Sequence, residues 1–251
     1  MNDSGVPAVG SPVPTLAMTA LLEVSDLRVR LGQALILDEV AFQVRPGELL
    51  GLIGPNGAGK TTLLEAVAGF IAVQQGRLAW MGRELPHPNW GSHFFYLPDG
   101  ITPYADHRVS EVLEAFRLFS DRSHVEVARF MEALHLDAAL PKRVGELSKG
   151  NRKRLLLCLA FLSRRELLLL DEPFDGLDLH QTLATIELLH AMKSEGRTFL
   201  FSIHELRHAE RLCERFLLLR EGRLIASGTL PELLIQSGTQ DGLEGVFLAH
   251  R

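Results

Sequence analysis

An apolar run from Glu48 to Ile53 feeds into Gly54-Pro55-Asn56-Gly57-Ala58-Gly59-Lys60-Thr61, which feeds into the helix-like run Thr62 to Ala68. The spacing G-x-x-x-x-G-K-T constrains the chain more than any other feature, because it demands a strand, a tight loop and a helix in that order. Its glycines let backbone N–H groups curl around phosphate oxygens with no Cβ in the way. Lys60 is a compact cation that can reach β and γ phosphates, and the hydroxyl of Thr61 can bind the Mg²⁺ that bridges them. The helix aims its N-terminus at the same anion. Gly54, Pro55, Asn56, Gly57, Ala58, Gly59, Lys60, Thr61 and Thr62 are therefore the expected phosphate-binding stretch, with Thr61 also a metal ligand.

From Leu21 onward, strand-length apolar runs alternate with runs of helical spacing, which predicts an α/β fold with a largely parallel central sheet. Strands are expected at Leu22–Arg30 and Ile36–Val44 before the loop, and at Arg77–Met81 and Phe94–Leu97 after it. Helical spacing then recurs in Val109–Ser120, Val125–His135 and Lys149–Leu162 with no strand between them, a helical insertion over about Gly100 to Arg165. Alternation resumes with strand Leu167–Leu170, helix Leu179–Met192, strand Thr198–Ile203 and helix Glu205–Glu214. Paired strands Phe216–Leu219 and Leu224–Ala226 follow, turning at Glu221-Gly222. Residues 236–251 are set apart as a C-terminal tail. Residues 1–20, with three prolines, two glycines and no basic side chain, read as a disordered N-terminal tail in which Met18 is an alternative start. They lack the positive start and apolar block of a secretory signal.

A chain of 251 residues, 46% hydrophobic, can bury a substantial core as one domain. A net charge of −5 and a pI near 6.1 argue against general nucleic-acid binding. Cys158 and Cys213 lie in apolar helical patterns and read as buried thiols rather than a disulfide, which suits the cytoplasm. The longest apolar stretch, Leu155 to Leu162, is well short of the roughly 18 residues a membrane span needs. His87 and His93 read as surface-loop residues rather than a zinc site, and Arg152-Lys153-Arg154 as the solvated start of a helix rather than a nucleic-acid patch.

The apolar strand Leu167 to Leu170 ends in Asp171 and Glu172. Beside a phosphate loop, that pair reads as a Mg²⁺-holding aspartate followed by a glutamate that polarises the attacking water. Leu147-Ser148-Lys149-Gly150-Asn151 precedes the third insertion helix, Asp175-Gly176-Leu177-Asp178 follows the acid pair, and His204 ends the strand Thr198–Ile203. In this order the motifs, over about residues 21 to 230, resemble the ATP-binding subunit of an ABC transporter, whose signature L-S-G-G-Q is matched by Leu147, Ser148 and Gly150. The resemblance implies a P-loop NTPase core of ABC type with an antiparallel β subdomain and the helical subdomain inserted, spanning residues 21–235. It implies ATP and Mg²⁺ as cofactors. Ser148 and Gly150 would clamp the γ-phosphate held by a second subunit, the D-loop at Asp175 to Asp178 would link the two sites, and His204 would contact the γ-phosphate. Hydrolysis would use Lys60, Glu172 and His204. Lys149 looks like exporter-type members more than importers.

Two positions depart from the family. Asp99 stands where it usually has a metal-binding glutamine, so the expectation is a carboxylate that reaches Mg²⁺ only through water. Leu31 stands where an aromatic ring usually stacks on adenine, so nucleotide selectivity is expected to be loose. The implied partners are a membrane permease and a second ATP-binding subunit, with no nucleic acid, and the implied location is cytoplasmic, peripheral on the inner face of the cell membrane through that permease. Two rivals are a soluble ABC ATPase acting on ribosomes or DNA without a permease, and a binding-only regulatory subunit. A single phosphate loop without a charged linker or coiled coil weighs against the first, and Glu172 against the second.

Overall fold

The computed structural model describes residues 20–86 and 89–250. The disordered-tail reading of the N-terminus, apart from Ala20, and the surface-loop reading of His87 lie outside the described residues. Ala20 is buried at the start of the core.

Two sheets form the body. Strands β1 (Leu22–Leu31), β2 (Ala34–Val44), β4 (Gln75–Trp80) and the short β5 (Arg83–Glu84) make an antiparallel sheet in the order β2-β1-β4-β5. The second sheet runs β10-β9-β3-β8-β7-β6, from β3 (Leu49–Ile53), β6 (Phe94–Leu97), β7 (Leu167–Asp171), β8 (Thr198–Ile203), β9 (Arg215–Arg220) and β10 (Arg223–Gly228). Its five strands from β9 to β6 are parallel, and only the edge strand β10 is antiparallel. The β9–β10 hairpin turns at Glu221 and Gly222, both with positive φ, as a two-residue turn with the strand twist requires.

The central strands are buried on both faces, which is why they read as unbroken apolar runs rather than as an alternation. The two-residue period still sorts them. Leu50, Leu52, Leu167, Leu169 and Leu200 face the core shared with the antiparallel sheet and α1 (Lys60–Val67). Leu49, Ile53, Leu168, Leu170, Phe199 and Phe201 face the core shared with the other helices. Each such side chain contributes about 1.5–3 kcal/mol by leaving water.

Between β6 and β7 lie α2 (Val109–Phe119), α3 (His124–Ala133) and α4 (Lys149–Leu162), the expected three-helix insertion. Two arginines tie its helices to one another: Arg122, between α2 and α3, donates to the carbonyl of Leu162 at the end of α4 at 2.9 Å, and Arg164, just after α4, to that of Ser120 after α2 at 2.8 Å. The basic run at the start of α4 is not solvated as its sequence suggested, because Lys153 and Arg154 are buried. Arg154 donates to the carbonyls of Leu134 and His135 at 2.8 and 3.1 Å, satisfying the open end of α3, and burial lowers its pKa.

After α5 (Leu179–Ser194) and α6 (Leu206–Leu212), the chain ends in α7 (Leu230–Ser237) and α8 (Gly242–Ala249). These two were not legible as periodic runs, yet the signals for α7 are present: Thr229 and Glu232 form a capping box, Pro231 sits in the first turn, and Gly238 ends the helix in the left-handed region. Leu243 and Val246 of α8 are fully buried, so the stretch set apart as a tail carries a packed helix. Cys158 and Cys213 are free and buried; burial pushes the Cys158 thiol up to about 12. Among the described residues no helix is long and apolar enough to cross a membrane.

Candidate functional site

The phosphate loop joins β3 to α1 at the carboxyl end of the central strands. Gly59 adopts φ 104°, and a Cβ there would come within 2.9 Å of the Leu37 side chain, so only glycine fits. The loop is folded around its own lysine: the ammonium of Lys60 donates to the carbonyls of Gly54 at 2.8 Å and Pro55 at 3.4 Å and is nearly buried. Ala58 is buried, and its carbonyl accepts from the N–H of Gly222, which clasps the loop to the β9–β10 turn at 3.0 Å.

The parallel register puts the acid pair next to this loop. Asp171 is paired with Ser202 across β7 and β8 and is 1% exposed. One of its carboxylate oxygens accepts from Thr61 Oγ1 at 2.8 Å, and the other accepts from Ser202 Oγ. Glu172 follows with φ 46°, a conformation uncommon for a residue with a side chain. Its N–H donates to Ser202 Oγ at 3.0 Å, and its carbonyl accepts from Lys153 Nζ at 2.9 Å. Its carboxylate lies between two basic groups, with His204 Nδ1 2.6 Å from one oxygen and Lys60 Nζ 3.9 Å from the other.

Asn56, Gly57, Gly59, Lys60, Thr61, Thr62, Asp99, Asp171 and Glu172 thus line one cavity of about 470 Å³, together with Ile36 from β2. Gly54, Pro55 and Ala58 shape the loop behind the lining. Leu31 is not brought in: it ends β1 opposite Ala34 and is 49% exposed. Ser148 and Gly150 are not brought in either. Ser148 is exposed at the N-terminus of α4, where its hydroxyl accepts from the N–H of Asn151 at 3.3 Å. Gly150 is buried against the D-loop, where a Cβ would meet the carbonyl oxygen of Gly176 at 2.7 Å. Lys149 pairs with Asp175 of that loop at 2.7 Å.

Sequence reasoning missed four site residues. Ile36 supplies the apolar wall, and Ser202 braces both acids. Lys153 binds Asp99 Oδ1 at 2.7 Å as well as the Glu172 carbonyl. Tyr96 carries a buried hydroxyl with no hydrogen-bond partner. Its pKa is pushed up by burial first and then by the carboxylates of Asp171, Glu65 and Asp99, and burial and Asp171 raise Glu65 in turn. Only the strand alternation around Tyr96 could have flagged any of these from sequence.

The hard oxygen donors of Thr61 and Asp171, joined at 2.8 Å in the wall of this cavity, fit Mg²⁺. Mg²⁺ is commonly held by one or two carboxylates with substrate phosphates completing its shell. Among the described residues no cluster of three or more His, Cys, Asp or Glu could hold a metal ion.

A phosphate loop and an acid pair on a parallel sheet, with a helical insertion between them, define a nucleotide triphosphatase of the P-loop class. The family model described as ABC transporter matches residues 37–175. An uncharacterised ABC transporter ATP-binding protein of Methanocaldococcus jannaschii is 31% identical over 220 residues, covering 86% of this chain and 80% of that protein. A Nod factor export ATP-binding protein of Burkholderia pseudomallei is 34% identical over 226 residues, 87% of this chain and 73% of its own length. A solved ATP-binding subunit of an ABC transporter superposes with a TM-score of 0.83 at 31% identity, covering 92% of this chain and 99% of that one. The chain belongs to the ABC transporter ATP-binding family. It is an ATPase of the kind that drives transport.

Proposed function

We propose that this chain is the ATP-hydrolysing subunit that powers movement of a substrate through a separate membrane permease, on the inner face of the membrane where that permease would hold it. Export is the favoured direction, on the likeness to an export ATP-binding protein and on Lys149 in the signature loop. One observation carries the reading: Lys60, Thr61, Asp171 and Glu172 line a single cavity, and His204 is hydrogen-bonded to Glu172 behind it.

In this reading Glu172 takes the proton of a water that attacks the γ-phosphate in line. His204 holds that carboxylate in place and reports on the γ-phosphate. Lys60 leaves the carbonyls of Gly54 and Pro55 for the incoming phosphate oxygens, which are stronger acceptors. Thr61 and Asp171 would hold Mg²⁺ directly and Asp99 through water, and the bound ion would offset charge on the β and γ oxygens. Ser148 and Gly150 lie outside this cavity, so two subunits meeting head to tail would each complete the other's site.

The test compares wild type with Glu172→Gln in Mg²⁺-dependent ATPase assays, with ATP-dependent dimerisation followed by gel filtration. Turnover in wild type, a loss of about 10²- to 10⁴-fold in the variant, and an ATP-bound dimer of the variant are expected. Turnover that survives the substitution would remove Glu172 as the base.

A further inference from the structure

We propose that Lys153 is a positioning residue of the ATPase site, one ammonium that holds both the Asp99 carboxylate and the main chain of Glu172. The inference rests on the reading of Glu172 as the base. Lys153 lies on α4, five residues after Ser148, with its side chain only 5% exposed. A buried ammonium is stable only when its donors are used. Two are accounted for, to Asp99 Oδ1 at 2.7 Å and to the Glu172 carbonyl at 2.9 Å. Its neighbours serve elsewhere: Arg154 binds the end of α3, and Arg152 reaches the carbonyl of Leu147 at 3.4 Å.

Both partners depend on this contact. Glu172 occupies the left-handed region, a conformation that persists where surrounding groups over-determine it. Its N–H is fixed by Ser202 Oγ and its carbonyl by Lys153, so the backbone that aims the base is pinned from both sides. Asp99 lines the cavity beside Asp171 and would repel it if left unpaired. Lys153, itself outside the lining, compensates that charge and keeps Asp99 back from a directly bound metal. Because Lys153 rides on the helix that carries the signature serine, a shift of α4 against the sheet loosens Asp99 and Glu172 together. The same contact would therefore couple engagement of the signature end to readiness of the base.

The test uses the full chain as wild type, Lys153→Gln, the doubly neutral Asp99→Asn/Lys153→Gln, and Glu172→Gln in parallel. It reads steady-state ATPase, Mg²⁺ titrations of fluorescent ATP-analogue binding, and thermal midpoints. Lys153→Gln is expected to lower kcat by about 10- to 100-fold, the scale of lost outer-shell support, with a much smaller change in KM. It should also lower the Mg²⁺ concentration at half-maximal binding, because Asp99 is freed toward the ion. The double variant is expected to restore the wild-type Mg²⁺ midpoint while kcat stays low, since the Glu172 carbonyl remains unpinned. Wild-type kcat in Lys153→Gln, beside an inactive Glu172→Gln, would overturn this inference alone; an active Glu172→Gln would overturn the reading beneath it. A Lys153→Gln variant that unfolds shifts the decision to the double variant, where wild-type kcat would overturn the inference and low kcat at a wild-type thermal midpoint would uphold it.

Discussion

The nucleotide cavity and the signature end of α4 are built in opposite ways. At the cavity, hydrogen bonds join residues far apart in the chain: Thr61 to Asp171, Ser202 to Asp171, His204 to Glu172, and Lys153 to Asp99. These partners come from different elements, so the fold itself sets the geometry. At the signature end, the Ser148 hydroxyl bonds to the backbone three residues ahead and stays exposed, while Lys149 pairs with Asp175 of the D-loop and Gly150 packs on Gly176. Asp175 is acidified by that lysine. The hydrogen bonds that shape the first region all form within one chain. The second presents an exposed hydroxyl at a helix N-terminus, the arrangement expected if a second subunit's phosphate is its target.

Ser148→Arg gives the largest effect that could break this contrast. If the signature end acts only in trans, the variant should bind ATP as a separated subunit within about twofold of wild type, since distant sites act independently. Hydrolysis should fall about 10²-fold or more, the scale for losing one preorganised donor to a transition-state oxygen. Equilibrium dialysis and a steady-state ATPase assay measure the two quantities. Weakened binding in the separated subunit would mean that Ser148 serves its own cavity, and the distinction between the two regions would collapse.

The contrast also explains what the sequence disclosed. The phosphate loop and the acid pair were legible because phosphate binding is a local chemical demand, met by fixed spacing within eight residues and by an apolar strand ending in carboxylates. The three insertion helices were legible from period alone, and Lys149–Leu162 has the expected ends. Lys153, Ser202 and Ile36 were not legible, because each reaches the cavity or the acids beside it only through tertiary register. Ser202 meets Asp171 because β7 and β8 pair in that alignment, and Lys153 is buried where α4 packs on β6 and its side chain reaches Asp99 and Glu172, just past the ends of β6 and β7. In the sequence Lys153 is indistinguishable from the exposed basic side chains that begin many helices.

Leu31 is an intermediate case, legible as a departure but not brought into the cavity. It stands half-exposed in the hairpin whose next strand supplies Ile36 to the lining. Leu31→Tyr should add ring stacking on adenine, worth about 1–3 kcal/mol per base where fully formed. At an exposed position the lower end applies, so ATP should bind about fivefold more tightly. Equilibrium binding of ATP to wild type and variant measures it, and an unchanged affinity would take position 31 out of contact with the base.

The smallest effect sharpens the contrast from the insertion side, where local bonds set the structure. Glu126 closes the capping box of α3: its carboxylate accepts from the Ser123 N–H at 2.9 Å while its own N–H donates to Ser123 Oγ at 3.2 Å. The bond from the Ser123 N–H, followed by that from Arg122, lowers its pKa from 4.5 to about 2. A carboxyl whose folded pKa is depressed stabilises the fold above its unfolded value, and that stabilisation fades as pH falls through the folded one. Glu126→Gln should therefore cost about 0.5–1 kcal/mol at pH 7, a cap-sized effect reduced by solvent exposure. The difference between the two proteins should shrink steadily as pH drops from 4.5 toward about 2. Urea midpoints taken across that window measure it. ATP affinity should not follow, because the cavity is held by bonds that do not pass through this cap; an affinity that tracked the cap would join the two regions energetically.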